Sequence, residues 1–281
     1  MTARSDARRN VRAVQQDRVD RGDAPGSVRL SVVVPAYEEG EQVGVAVRGL
    51  RAALAEVADD GGLEIVVVDD GSGDATADIA RAAGADQVLA LPRNRGKGAA
   101  VRTGMLAARG KTVAYTDADL AYRPEQIVGL LDRVEEGWDM VVGSRRHVDT
   151  TTLVRARRLR EVTGRVFNVL TSMVLLGQYR DTQCGLKAFR SDVAKILFSK
   201  QRLDGFAFDV ELFHLAERYE LSLAEVPVTL SNSSRSTVRV VQAATTMVRD
   251  LARVRLWAGS GLYDLTPDEE RVLTRAAREG S

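Results

Sequence analysis

Two carboxylates, Asp117 and Asp119, directly follow the apolar run Val113-Ala114-Tyr115-Thr116. Residues two apart on a strand point to the same side, so both acids can reach one small volume. Such close negative charges repel unless a cation lies between them, and Mg²⁺ and Mn²⁺ prefer oxygen ligands. Because Mg²⁺ is usually held by one or two carboxylates plus substrate phosphates, the pair predicts a metal–phosphate site. A solvated Asp-x-Asp turn is the competing interpretation.

Two glycine-rich loops add polar groups without matching a standard phosphate motif. Asp69-Asp70-Gly71-Ser72-Gly73 lacks the G-x-G-x-x-G pattern, and its acids lie where a pyrophosphate needs backbone N–H groups. Carboxylates there suit a base N–H or a ribose hydroxyl. Arg95-Gly96-Lys97-Gly98 is not a Walker loop. Lys97 can still approach a phosphate or sugar, although a solvated lysine in a glycine-rich turn is the alternative.

Strand and helix patterns alternate along the first half of the chain. Apolar, β-branched runs predict strands at 30–34, 65–68, 87–91, 112–116 and 139–142, and helical patterns predict helices at 41–59, 74–83, 99–109 and 124–136. This order predicts an α/β fold with a doubly wound, mostly parallel sheet flanked by helices. Ligands bind at the carboxyl ends of such strands. Four of these ends are polar or glycine-rich, at 35–39, 69–73, 117–119 and 143–146.

The second half changes character. Seven arginines lie between 145 and 165, followed by an apolar segment at 166–176. Helices are predicted at 191–199, 208–219 and 237–258, with a strand at 223–230. We expect a disordered tail over 1–27, one catalytic-type domain over 28–232 and a C-terminal helical extension over 233–281.

Composition narrows the class of protein. The chain has 281 residues, a net charge of +1 and one cysteine, Cys184, so an internal disulfide is excluded and a reducing, cytoplasmic location fits. The arginine segment has only Phe167 for stacking, which argues against nucleic acid as a partner. No apolar stretch reaches 18 residues, so any membrane contact should be peripheral. A basic run beside an apolar helix suits an anionic membrane surface, and ordinary core packing is the alternative.

Taken together, the motifs resemble family 2 glycosyltransferases of the GT-A (Rossmann-like) fold. The resemblance rests on Val34-Pro35-Ala36-Tyr37-Glu38-Glu39, Val68-Asp69-Asp70-Gly71-Ser72, Asn94-Arg95-Gly96-Lys97-Gly98, Asp117-Ala118-Asp119 and Gly143-Ser144-Arg145. Asp181-Thr182-Gln183-Cys184-Gly185-Leu186-Lys187-Ala188-Phe189 and Phe208-Asp209-Val210-Glu211 resemble the polyprenyl-phosphate (dolichyl-phosphate) sugar synthase branch. The segment 96–105 is more similar to its glucosyltransferases than to its mannosyltransferases. The resemblance spans roughly residues 30–260.

The resemblance implies a division of labour among these residues. Asp119, and with it Asp117, would hold a Mg²⁺ or Mn²⁺ ion, and Arg145 would face phosphate. The mannosyl branch has a metal-contacting Gln where this chain has Ala121, so water would take that place. The nucleotide sugar would be bound by Pro35, Tyr37, Glu39, Asp69, Gly71, Lys97, Asp117, Ala118 and Asp119.

The implied reaction is transfer of a hexose, with inversion, from UDP-glucose to a polyprenyl or dolichyl phosphate at the cytoplasmic membrane face. A GDP-mannose donor, a soluble acceptor and a nucleotide-binding module without catalysis are the alternatives. An acceptor phosphate needs cationic guidance, for which Lys187 is a candidate together with Arg155, Arg157 and Arg158. Asp209 or Glu211 would orient the sugar or act as base, and because i, i+2 residues on a helix face different ways, one of them should be structural.

Overall fold

The computed structural model describes residues 15–18, 28–145, 181–230 and 240–279. The predicted acceptor-phosphate residues Arg155, Arg157 and Arg158 and the apolar segment 166–176 lie outside these ranges. None of the helices in the described ranges is both long and apolar enough to cross a membrane.

The described residues form one mixed sheet in the order β1-β4-β3-β2-β5-β7-β6-β8. β2 pairs in parallel with β3 and β5, β3 with β4, and β6 with β8. β7 is antiparallel to both β5 and β6, and β1 is antiparallel to β4. The strands are β1 Gln15–Arg18, β2 Leu30–Ala36, β3 Leu63–Asp69, β4 Gln87–Ala90, β5 Thr112–Tyr115, β6 Met140–Ser144, β7 Lys187–Arg190 and β8 Leu223–Pro227. The predicted α/β, mostly parallel architecture is confirmed.

Nine helices in the described ranges complete the fold. They are α1 Gly40–Ala53, α2 Ala55–Asp59, α3 Thr76–Ala82, α4 Lys97–Ala107, α5 Gln126–Glu135, α6 Ser191–Lys200, α7 Phe208–Arg218, α8 Val240–Gly259 and α9 Pro267–Glu279. Helices cover both faces of the sheet because successive side chains of a strand point to opposite sides. Val32 and Val34 pack with α1 and α5, whereas Val33 packs with α4 and α7. This two-sided burial explains why the strands read as continuous apolar runs.

Two parts of the structure depart from the sequence predictions. Gln15–Arg18, within the segment predicted as a tail, forms a strand that pairs antiparallel with β4. Without this strand β4 would be an edge strand, and its unpaired backbone groups offer a place for a further strand. β7 was not predicted as a strand, and its antiparallel direction breaks the βαβ pattern.

The parallel strands bring their carboxyl ends to one edge of the sheet. Ala36 is level with Asp69, Val33 with Tyr115, and Ser144 with Pro227. The loops after β2, β3, β5 and β6 therefore meet at this edge. β7 starts at the same edge, where Lys187 is level with Tyr115.

Candidate active site

Asp117 lies just beyond β5 and is held from two sides. Its Oδ1 is 2.5 Å from the Lys97 Nζ, with side-chain exposures of 30% and 20%. A side-chain carbon at Gly185 would overlap the other oxygen, Oδ2, so glycine is required for this close approach. The structure thus brings together three predicted motifs that are distant in the sequence. Lys97 is not the solvated lysine of the alternative interpretation.

The loop that carries Lys97 is fixed by the neighbouring loops. The Asp70 carboxylate accepts hydrogen bonds from the backbone N–H groups of Arg95, at 2.9 Å, and Gly96, at 2.7 Å. Gly96 has a φ of 108°, and a Cβ there would lie 2.6 Å from the Asp204 carbonyl oxygen. Burial raises the pKa of Asp70, although these hydrogen bonds oppose the shift. The sequence analysis did not identify Asp70 as a positioning residue. The two adjacent acids, Asp69 and Asp70, were the signal that could have indicated this role.

The ends of β2 and β3 build the next part of the site. Asp69 is buried and its Oδ1 accepts from the Ser72 N–H at 2.9 Å. The Ser72 hydroxyl in turn accepts from the Glu38 N–H at 2.8 Å, which ties the two loops together. Tyr37 is 42% exposed at this edge. Pro35 lies within β2 and Gly71 follows β3, so the predicted nucleotide-sugar residues of both strands lie at the same edge of the sheet.

Gly71 allows two of these loops to touch. Its φ is 75°, a conformation that favours glycine, and a Cβ would lie 2.6 Å from the Arg93 Cα. The loop after β3 therefore packs directly on the loop that leads to Lys97. This contact supports a role for Gly71 in shaping the site.

Acidic side chains accumulate at this edge. The pKa of Glu39 is raised, mainly by partial burial and secondly by the negative charges of Asp119 and Asp117. Asp119 Oδ1 accepts from the Ala121 N–H at 3.0 Å, and Ala118 between the two acids is buried. Within 28–145, 181–230 and 240–279, no three His, Cys, Asp or Glu side chains are grouped so as to hold a metal ion alone. Two carboxylates with further oxygens from a ligand phosphate is the set that Mg²⁺ favours, so these residues fit a metal bound together with a nucleotide.

The ammonium group of Lys97 pairs with Asp117 and is also affected by the charges of other nearby acids. Burial lowers its pKa, but Asp117, Asp209 and Asp119 outweigh this effect, and the pKa of Lys97 is raised overall. Lys97 is therefore charged at neutral pH. Its ion-pair partner is Asp117, and Asp209 in the first turn of α7 acts on it as a nearby negative charge.

Lys187 lies beneath the site and not in it. Its side chain is fully buried, and its Nζ is 2.7 Å from both Asp209 Oδ1 and the Cys184 carbonyl oxygen. The Tyr115 hydroxyl donates to the same Asp209 oxygen at 2.5 Å. The ammonium of Lys187 is therefore paired within the protein, and guidance of the acceptor phosphate by Lys187 stays a prediction. Lys187 positions Asp209.

Glu211 is the structural member of the pair on α7. It is fully buried and accepts from the backbone N–H groups of Arg202 and Leu203, both at 2.7 Å, and from the Tyr263 hydroxyl at 2.7 Å. These bonds fix the loop that packs on Gly96. Glu211 therefore fits the structural role predicted for one of the two acids. Asp209 remains the candidate for a role near the ligand.

Arg145, just after β6, is bound to Asp181. Its Nε and Nη2 donate to the two Asp181 oxygens at 2.6 and 2.7 Å, and its backbone N–H donates at 3.1 Å. This guanidinium outweighs the effect of burial and lowers the pKa of Asp181. The Arg145 side chain stays 42% exposed. Asp181 holds Arg145 at the edge of the site, a role that the sequence did not reveal.

Cys184 matches its predicted character. It is fully buried, and burial raises the pKa of its thiol to about 11. A neutral thiol in this position has no nucleophilic role.

Comparisons with known proteins agree with this geometry. Residues 31–198 match the family model described as "Glycosyl transferase family 2". Two relatives are named dolichyl-phosphate beta-glucosyltransferase. The Drosophila melanogaster protein is 34% identical, covering 82% of this chain and 74% of its own length, and the Homo sapiens protein is 30% identical, covering 86% and 79%.

Solved structures with lower identity share the fold. Glucosyl-3-phosphoglycerate synthase from Mycobacterium tuberculosis, crystallised with Mn²⁺, UDP and glucosyl-3-phosphoglycerate, has a TM-score of 0.58 at 21% identity over 81% of this chain and 78% of that one. Mannosyl-3-phosphoglycerate synthase from Rubrobacter xylanophilus has a TM-score of 0.59 at 22% identity, and the match covers 85% of this chain and 78% of that one. The family match, together with relatives above 30% identity over most of the chain, confirms the resemblance seen in the motifs: this chain belongs to glycosyltransferase family 2.

Proposed function

We propose that this protein transfers a hexose, glucose from UDP-glucose, to a polyprenyl or dolichyl phosphate. The observation that carries the proposal is the meeting of Asp117, Asp119 and Lys97 at the carboxyl edge of the sheet, beside the exposed Tyr37 and the buried Asp69. The names of the relatives support the choice of sugar and lipid acceptor.

The donor would lie across the loops after β2, β3 and β5. Pro35, Tyr37, Glu39, Asp69 and Gly71 would contact the uracil and ribose. Lys97 would meet the diphosphate, and Asp119 and Asp117 would both hold Mg²⁺ or Mn²⁺, with Asp119 as the principal ligand. Once bound, such an ion offsets negative charge on the leaving nucleoside diphosphate.

The acceptor would supply its own nucleophile. A phosphate monoester has a second pKa near ~6 and is largely dianionic at neutral pH, so it needs little help from a general base. One of its oxygens would bond to the anomeric carbon as the bond from that carbon to the diphosphate breaks, which inverts the configuration and releases UDP. Asp209 would orient a sugar hydroxyl, and Arg145 with Arg155, Arg157 and Arg158 would guide the acceptor phosphate. With a lipid acceptor, the protein would act at the cytoplasmic face of a membrane and would bind there peripherally.

The test is the incubation of purified protein with Mg²⁺, polyprenyl phosphate and either labelled UDP-glucose or labelled GDP-mannose. We expect the glucose label to enter the lipid phase. Entry of mannose alone would identify a mannosyltransferase, and transfer only to added soluble phosphate esters would identify a soluble acceptor. UDP binding without any transfer would favour a module without catalysis.

Asp119→Asn tests the site itself. The substitution removes a metal-binding charge, and we expect turnover to fall by about 100-fold or more. Asp132→Asn is the matched control because Asp132 lies on the exposed face of α5, away from the site. Full activity of Asp119→Asn would refute the assignment of the metal site.

A further inference from the structure

The Lys97–Asp117 ion pair is built into the fold. The Nζ–Oδ1 distance is 2.5 Å, and neither side chain is more than 30% exposed. Gly185 lies so close to Asp117 that a Cβ there would overlap the carboxylate, and the loop of Lys97 is held by Asp70. A pair restrained at both ends differs from a surface ion pair between two mobile side chains, which contributes little.

This arrangement places a fixed cation on a carboxylate that a metal would need. A divalent ion bound by Asp117 and Asp119 would lie within a few ångströms of the Lys97 ammonium, and two cations at that separation repel strongly where the surrounding side chains are partly buried. A nucleoside diphosphate changes the balance, because its oxygens offer Lys97 a new anionic partner and offer the metal further ligands.

We propose that Lys97 holds the place of the metal on Asp117 in the nucleotide-free protein, and that metal and Lys97 compete for this carboxylate until a nucleoside diphosphate arrives. This inference rests on the proposed use of a nucleotide sugar with a divalent metal. Its consequence is that metal binding and nucleotide binding favour each other, and by linkage each ligand raises the affinity of the other by the same factor. Metal would therefore enter the site with, and not before, the nucleotide.

The test measures Mn²⁺ binding by the electron paramagnetic resonance signal of free Mn²⁺, with and without saturating UDP, in the absence of any sugar donor. The variants are Lys97→Met and Lys97→Gln. Both remove the positive charge, and Gln can still donate a hydrogen bond to Asp117. Arg95→Gln is the matched control, since it removes a cation from the same loop that is paired with Asp204 at 3.0 Å and not with Asp117.

We expect both Lys97 variants to bind Mn²⁺ without UDP about tenfold more tightly than the wild type, within the usual range of coupling between sites. The factor by which UDP strengthens Mn²⁺ binding should fall about tenfold in both variants. Arg95→Gln should stay within about twofold of the wild type on both measures, since a partly screened charge at a greater distance has a small effect.

The inference is overturned if the Lys97 variants bind Mn²⁺ without UDP no more tightly than the wild type, or if the strengthening by UDP is unchanged. It is also overturned if Arg95→Gln changes Mn²⁺ binding as much as Lys97→Met, because the effect would then be general electrostatics. Failure of the proposed function looks different: the wild type itself would not bind UDP or would transfer no glucose. Thermal unfolding of each variant verifies that it is folded.

Discussion

Replacing Lys187 by Met tests the buried network beneath the site. The Lys187 side chain is 0% exposed and that of its partner Asp209 is 6% exposed, at an Nζ–Oδ1 distance of 2.7 Å. The substitution would leave the Asp209 carboxylate with only the Tyr115 hydroxyl on that oxygen and would leave the Cys184 carbonyl without its donor. Removing one partner of a buried ion pair costs about 3–5 kcal/mol of folding free energy. Both side chains are almost completely buried, so water does not screen the charge that is left behind.

The assay is urea-induced unfolding at pH 7, followed by circular dichroism. Lys200→Met is a matched control, because the Lys200–Glu269 pair has the same 2.7 Å separation but side-chain exposures of 12% and 23%. A partly exposed pair is worth about 1 kcal/mol or less. Lys187→Met should therefore lower the free energy of unfolding by several times the loss in Lys200→Met.

A double substitution separates the pair from its surroundings. Lys187→Met with Asp209→Asn removes both charges, so it should be less destabilising than the two single losses added together, by about 1–3 kcal/mol. If Lys187→Met costs no more than Lys200→Met, the assignment of a buried, energetically coupled pair is refuted.

Three further predictions concern the surroundings of this network. Gly185→Ala should displace the Asp117 carboxylate and lower turnover by roughly 100-fold, the effect of an ångström-scale misplacement, as measured by steady-state glucosyl transfer. Asp181→Asn should destabilise the protein at pH 6 but progressively less below about pH 4, measured by urea midpoints from pH 6 to 3. Arg145 lowers the pKa of Asp181, so the stabilisation is fully present above the unfolded pKa and is lost as the pH falls through the folded pKa. Cys184, with a thiol pKa of about 11, should not react with a disulfide reagent at pH 8 until urea unfolds the chain.

A contrary result can be named for each of these three changes, and Gly185→Ala also has a matched control variant. Gly205→Ala is the control for Gly185→Ala, because nothing lies within 4 Å of a Cβ at Gly205, and equal activity of the two variants would contradict the steric argument. For Asp181→Asn, a difference in urea midpoint from the wild type that stays constant from pH 6 to 3 would contradict the prediction. It would show that the negative charge of Asp181 does not stabilise the fold. Rapid modification of the native protein would show that Cys184 is accessible.

The sequence alone determined the α/β class, the parallel strands β2 to β6 and the edge of the sheet at which the site is proposed to lie. Runs such as Val32, Val33 and Val34 are apolar at every position because helices bury both faces of the strand, and this signal is local. The polar residues that follow these runs are equally local. Because parallel strands bring their carboxyl ends to one edge, the sequence was enough to predict that Asp69 and Asp117 lie in one site.

Only the tertiary structure decided which charged groups are partners. Asp70 holds the loop before Lys97, Asp181 holds Arg145, and Lys187 is paired with Asp209 in the interior. The partners in the last two pairs are 36 and 22 residues apart in the sequence. A charged side chain looks the same in a sequence whether it faces a ligand or a buried counter-ion. The difference arises from burial, and burial depends on how distant segments such as β7 and α7 pack against each other.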